Sequence, residues 1–236
     1  MREASGLPSA RRPRHGRMIK PSLRPGISHR SFPGCAIILD INRDRYWQVS
    51  EQVGATLDRV AQGEGRMLAP GEIAHVESLG LIAYVDADTV PVPAVDLPDP
   101  TRSAAESDDP RSLFCLAEAA EVALLTLTAR WQVGRRPLHQ LLEDFVRRRD
   151  RALGSADAVA LAQRFGRYRR LVPLAALCLP DTLAFLRFAA RRGARANIVF
   201  GVEAWPFAAH CWAQAGECVL NDALDHARSF APIRVL

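Results

Sequence analysis

The sequence predicts an α+β chain in two parts: a small unit built from a β-hairpin and helices, then helices packed on an antiparallel sheet. Three observations carry this. Residues 35–49 read as two strands around a turn, and helical spacing follows them. A proline-punctuated acidic stretch occupies residues 86–111. Beyond it, four helix-length segments precede three runs of strand type. With 236 residues and 48% hydrophobic content the chain can build one large or two small cores. No run approaches the roughly 18 apolar residues that a membrane span needs.

The net charge of +5 describes a tail rather than the folded body. Residues 1–30 hold eight Arg or Lys and one acid, Glu3, a surplus of seven, which leaves the remainder at −2. Nucleic-acid binding therefore does not follow from the charge. Residues 1–25 read as a basic disordered tail without the apolar core of a secretory signal. A transit peptide, a nucleic-acid arm and a start placed too early, with Met18 the true start, are the other readings of this Arg/Ser/Pro mixture. Five scattered cysteines, Cys35, Cys115, Cys178, Cys211 and Cys218, argue against a disulfide framework and for a reducing cytosol.

Within residues 26–85, Cys-Ala-Ile-Ile-Leu-Asp is one strand, Asn42-Arg43-Asp44 the turn, and Arg45 to Val49 the return. A short strand over Gly26 to Phe32 precedes it. Ser50 is the expected N-cap of a helix carrying Val53, Leu57 and Val60, stopped by Gly63. A second helix over Pro70 to Leu79 presents Ile73, Val76 and Leu79, and Leu81 to Val85 is a short extended piece. Such a unit has the manner of a small winged helix-turn-helix. Residues 86–111 form a linker, extended by its prolines and by repulsion among its acids, that separates two domains. In 112–236, helices are expected over Leu113 to Trp131, Leu138 to Arg149, Ala156 to Leu171 and Leu179 to Arg192. Strands follow at Ala196–Val202, Ala208–Gln214 and Glu217–Leu220, the last two joined by a turn at Ala215-Gly216.

The last sixty residues hold the most specific chemistry. Cys178 opens the amphipathic helix Cys-Leu-Pro-Asp-Thr-Leu-Ala-Phe-Leu-Arg-Phe; His210 lies 32 residues on in a strand, and Asp222 a further 12 on, ending the next. A thiol at a helix N-terminus faces unpaired N–H groups and the positive end of the dipole, which favours the thiolate. An imidazole adds to that and supplies the acid and base of acyl transfer. Asp222 is expected to accept the Nδ1–H of His210 and fix its tautomer. Backbone N–H groups at or near Cys178 would contribute to an oxyanion hole. Pro180 suits the first helical turn. This is the plan of papain-like and transglutaminase-like enzymes. Core packing is the plainer reading of each residue taken alone; the three types in order on a helix and two strands favour catalysis. Asp225 and His226 are possible substitutes for triad members. A zinc site from Cys178, His210, Cys211 and Cys218 is disfavoured: residues 210 and 211 point to opposite faces of a strand, and there is no Cys-x-x-Cys pair. No metal site is expected, Cys211 and Cys218 read as packing, and no phosphate-binding glycine loop occurs.

The stretches Cys178 to Leu183, Arg191-Arg192-Gly193, Ile198 to Val202, Pro206 to Trp212 and Val219 to Asp222 closely resemble the transglutaminase-like B proteins of lasso-peptide biosynthesis, across roughly residues 113–236. The resemblance implies a cysteine leader peptidase with Cys178 as nucleophile, His210 as base and Asp222 as orienter. Cys211 departs from it, the family more often having Ala there, as does Ala213-Gln214, where a Val-Glu pair is common. Leu39-Asp40 with Asp44-Arg45-Tyr46 resembles the winged-helix precursor-recognition domain of peptide-modifying systems. That implies a leader peptide docked as an added strand, with Arg45, Tyr46, Trp47, Val49, Ile73, Val76 and Glu77 as the binding residues. Tyr46 and Trp47 face opposite sides of their strand, so only one of them can line that groove, and ordinary core packing is the other reading of Trp47 and Ile73. It also implies a macrolactam synthetase partner that uses ATP, no cofactor on this chain, and a bacterial cytoplasm. An acyl transferase of transglutaminase type and a non-catalytic precursor-binding module stay open.

Overall fold

A computed structural model describes residues 19–87, 97–106 and 114–236. Residues 1–18, 88–96 and 107–113 lie outside it, and with them most of the expected tail and much of the expected linker.

The N-terminal unit centres on an antiparallel sheet of β2 (Ile27–Phe32), β3 (Cys35–Asp40) and β4 (Arg45–Ser50), in that order. The turn between β3 and β4 is built by Asp40. Its buried carboxylate accepts the backbone N–H groups of Asn42 and Arg43 at 2.9 and 3.2 Å and pairs with Arg24 at 2.7 Å. Asp44 completes the turn at φ 50°, a left-handed conformation that Asp tolerates better than most side chains. Ser50 caps α1 (Glu51–Ala61) through its hydroxyl, as expected. Glu72 reaches back to the N–H of Ala69 at the start of α2 (Pro70–Ser78). Two features differ from the expectation. Ile19–Leu23 form a strand, β1, where a tail was expected through residue 25, and β1 pairs antiparallel with β5 (Ile82–Asp86). The pairing spans some sixty residues of chain, so no local pattern announces it.

Every residue of β3 is buried. Ile38 faces α1, with Val53, Leu57 and Val60. Ile37 and Leu39 face the other way, together with Ile41 just beyond the strand, into the core of the C-terminal half. A continuous apolar strand is the mark of burial on both faces. The two halves therefore share a core, where a separating linker was expected. Arg234 donates to the Ser28 hydroxyl at 3.0 Å across the same junction.

The C-terminal sheet runs in the order β10–β7–β8–β9–β6: Ala231–Val235, Asn197–Ala204, Phe207–Ala215, Cys218–Val219 and Arg102–Ser103. The expected linker thus supplies β6, which pairs parallel with β9. Ala104 beside it is fully buried, Gln214 donates to the Pro98 carbonyl at 2.8 Å, and Thr101 donates to Glu217 at 3.0 Å. Prolines and acids gave that stretch a solvated look; its anchors lie more than a hundred residues downstream. Helices α3 (Leu116–Val133), α4 (Leu138–Arg151) and α5 (Ala158–Arg169) pack around α6 (Cys178–Arg191), which lies on β8. Helix α7 (Leu224–Arg228) and β10 were not anticipated; both are short.

Gly201 on β7 pairs with His210 on β8. A Cβ there would sit 2.7 Å from both the Phe230 Cβ and the Trp212 ring. Gly201→Ala is expected to cost about 1–3 kcal/mol by overpacking, which lowers the melting temperature by roughly 2–12 °C for a chain of this size. A thermal melt by circular dichroism checks it, and an unchanged midpoint contradicts it.

Candidate active site

Cys178 is the first residue of α6 and is exposed. The helix start is fixed from its own first turn. Asp181 accepts the backbone N–H of Leu177 at 3.1 Å, and Arg169 grips the same carboxylate with two nitrogens at 3.0 and 3.1 Å. Arg169 also donates to the carbonyls of Leu174 and Ala175, so the loop that delivers Cys178 is tied to α5.

A second set of bonds holds α6 against the sheet. Thr182, one turn on from Cys178, donates to the Cys211 carbonyl at 3.4 Å. Asn221 donates to the Thr182 hydroxyl at 2.8 Å and accepts the N–H of Ala213 at 2.7 Å. Asn221 thus spaces helix from strand immediately before Asp222. Asn beside Asp in Val-Leu-Asn-Asp was the available signal for it, and it was not read.

His210 projects from β8 with its Nε2 2.5 Å from Asp222 Oδ2. The expectation of an Nδ1 contact is corrected: Nε2 faces the carboxylate, which leaves Nδ1 for the thiol side. His226, on α7, places its Nδ1 2.8 Å from the same Oδ2. Ala223 donates its N–H to Oδ1 at 2.8 Å, and Ser103 donates to the Asp222 carbonyl at 2.5 Å. The His210 ring stacks on Trp212 and contacts Phe230 and His226, with centroids 6.0, 5.1 and 4.6 Å away.

The electrostatics follow from these contacts. The Cys178 thiol is pulled down to about 4 by hydrogen bonding from Cys211 and then from His210, against the opposing effect of burial. Burial pushes His210 down, but hydrogen bonds to Asp222 and Cys178 outweigh it and raise the imidazole to about 9. Asp222 feels burial upward, and the two imidazoles overcome it and lower the carboxyl. Cys211 is raised well above an ordinary thiol by the neighbouring Cys178 sulfur and by burial. Between pH values near 4 and 9 the sulfur is a thiolate and the ring an imidazolium, the reactive state of a thiol nucleophile.

The sequence-predicted trio is thus brought together. His226 joins it through Asp222 rather than replacing a member, and Asp225 takes no side-chain part in it. Cys211 does more than pack, since its thiol reaches Cys178 from the α6 face of β8 while His210 occupies the strand's other face. Cys218 is buried. His210, Asp222 and His226 bring three potential ligand atoms within 4.8 Å of one another, a different set from the four weighed in the sequence; hydrogen bonds already join them. Of the expected peptide-binding residues, Arg45 is exposed on β4, while Trp47, Val49 and Ile73 pack half-buried on the N-terminal core. Val76 is corrected to core, only 1% exposed. Glu77 is exposed and accepts from the Tyr84 hydroxyl at 3.4 Å. Tyr46 faces away from that core, toward the C-terminal half.

A thiol at a helix start, an imidazole on a strand and a carboxylate behind it are the groups that thiol acyl-transfer chemistry requires. Residues 123–235 match the family model described as transglutaminase-like superfamily, so this part of the chain is similar to a transglutaminase-like domain. Such a domain is consistent with cysteine peptidase or acyltransferase activity. No curated protein and no solved structure matches the chain. Among the described residues, no helix is long and apolar enough to cross a membrane.

Proposed function

We propose that this protein is a cysteine peptidase that binds the leader of a ribosomally made precursor peptide and hydrolyses the bond between leader and core during lasso-peptide maturation. The observation that carries the catalytic part is the placement of Cys178 at the α6 start beside His210, whose Nε2 lies 2.5 Å from Asp222, an arrangement that holds the thiol down to about 4 and the imidazole up to about 9. The Cys178 thiolate attacks the scissile carbonyl, whose oxygen takes up the negative charge near the α6 N-terminus. The His210 imidazolium gives its proton to the leaving amine, and a thioester remains on Cys178. Neutral His210 then takes a proton from water, the hydroxide opens the thioester, and acid and thiolate are released. Asp222 holds the ring throughout.

Residues 26–85, of winged-helix type in this reading, hold the leader. β4 is the last strand of its sheet, so an extended peptide can add to it, with Arg45, Trp47 and Val49 on that strand and Ile73 and Glu77 on α2 as the nearest candidates. The partners are the precursor peptide and a macrolactam synthetase that uses ATP, in a bacterial cytoplasm; this chain itself needs no cofactor for the steps above. Mass spectrometry of a precursor peptide incubated with this protein and the synthetase tests the reading. Free leader cut at one junction is the expected product. A leader cross-linked to an amine would establish acyl transfer instead, and leader binding without either product a recognition module alone.

A further inference from the structure

Cys178 lies at the seam between the two halves, and the N-terminal sheet contributes to its surroundings. Tyr46 stands opposite Leu39 in the β3–β4 register and points to the same side as the residues that join the C-terminal core. Its ring meets Phe207, centroids 5.9 Å apart and planes tilted by 55°. Phe207 opens β8. By the two-residue period of a strand it shares a face with Ala209 and Cys211, the face that meets α6. Cys211 in turn neighbours the Cys178 sulfur. Tyr46 and Phe207 therefore border the approach to the thiol from the β4 side. Phe207 is 51% exposed and Leu177, adjacent to the nucleophile, 46%, so this rim is apolar and open. Burial, and after it the Cys211 and Cys178 charges, push the Tyr46 hydroxyl upward, so the phenol stays neutral beside the thiolate.

We infer that Tyr46 and Phe207 form an aromatic wall of the substrate cleft, and that it selects an apolar side chain on the residue donating the scissile carbonyl. The inference rests on the peptidase reading and deepens it. The N-terminal half then does more than capture a leader: its edge strand supplies a specificity residue to the site.

The test uses the full chain and two dipeptidyl acyloxymethyl ketones that differ only in the residue next to the reactive carbonyl, Phe or Asp. The rate of Cys178 labelling is read by intact-mass spectrometry, with iodoacetamide labelling as a measure of the thiolate itself. Wild type is expected to favour the Phe reagent by roughly tenfold or more, the scale of apolar-pocket discrimination. Tyr46→Phe keeps that ratio, whereas Tyr46→Ala and Phe207→Ala bring it close to one. Phe207 is half exposed, so its truncation tests the wall without emptying the core. Normal iodoacetamide labelling with a flat ratio in wild type, or a ratio unchanged in both alanine variants, overturns the wall and leaves the peptidase reading standing. Failure of iodoacetamide to label wild type removes the nucleophile, and the wall with it.

Discussion

Cys178→Ala is expected to abolish turnover, with a loss of about 10⁴-fold or more, because in the proposed mechanism the acyl intermediate forms on that sulfur. The same substitution leaves the fold intact. Cys178 is exposed, and the α6 start is held by Asp181, Arg169 and Thr182 rather than by the thiol. Circular dichroism and chromatographic product analysis on one preparation separate the two effects. Cys178→Ser is expected to be almost as inactive, since an alcohol cannot reach the anionic state that a thiol held at about 4 occupies at neutral pH. The low value has a second consequence: at pH 5.5 iodoacetamide modifies Cys178 ahead of the other four cysteines. Three of those, Cys35, Cys211 and Cys218, are buried; Cys115 is exposed and lies away from the His210 imidazole, at the start of α3. Alkylation spread evenly between Cys115 and Cys178 at that pH would contradict the thiolate assignment. Retention of more than a few per cent of wild-type turnover in the alanine variant would end the nucleophilic reading.

The candidate site residues could be picked out because their signals are local. A cysteine before Leu-Pro-Asp-Thr-Leu announces a helix start, and His210 and Asp222 sit in alternating runs with no Pro or Gly inside them. The tautomer was not legible. Which nitrogen of His210 meets Asp222 depends on how β8 and the chain beyond β9 are spaced, and Asn221 and Thr182 set that spacing through contacts across 39 residues. His226 reads as loop in the sequence; only the five-residue α7 turns it onto Asp222. Cys211 was assigned to packing by the alternation rule. Its side chain does face the helical side of the sheet, but Cys178, at the very end of α6, is reached from both faces. The fold follows the same division. Ser50 and the β3–β4 turn could be read residue by residue. The β1–β5 pair and the placement of β6 are long-range pairings whose partners carry no mark of each other. The shared core had a visible signal in the unbroken apolar run Ala36 to Leu39, which a hairpin solvated on one side does not need.

Asp222→Asn separates orientation from charge and carries the second large effect. Asparagine keeps the shape and still offers an oxygen to His210 Nε2. It removes the negative charge that, with Cys178, holds the imidazole at about 9 against burial. In the variant burial acts with less opposition, so the ring pKa falls toward or below its ordinary 6.5. The sign of the pH effect follows. In wild type, kcat/KM is expected to rise as pH increases through about 4, where Cys178 loses its proton, and to fall through about 9, where His210 loses its own. These are properties of the coupled pair rather than of either residue alone. In Asp222→Asn the alkaline limb moves down by two units or more, on the order of the 3 kcal/mol that such a shift represents. The deficit is therefore smallest near pH 5.5, where the ring is still protonated, and widens to roughly 10- to 30-fold by pH 8. His226→Ala leaves the carboxylate charged and removes only one of its two imidazole partners, so its alkaline limb moves far less. A pH profile of kcat/KM for wild type and both variants reads all of this at once. A uniform loss across pH in Asp222→Asn would mean that Asp222 acts by position alone, with no electrostatic hold on the imidazolium. A limb displaced equally in both variants would make His226, and not the carboxylate charge, the group that sets the imidazolium in place.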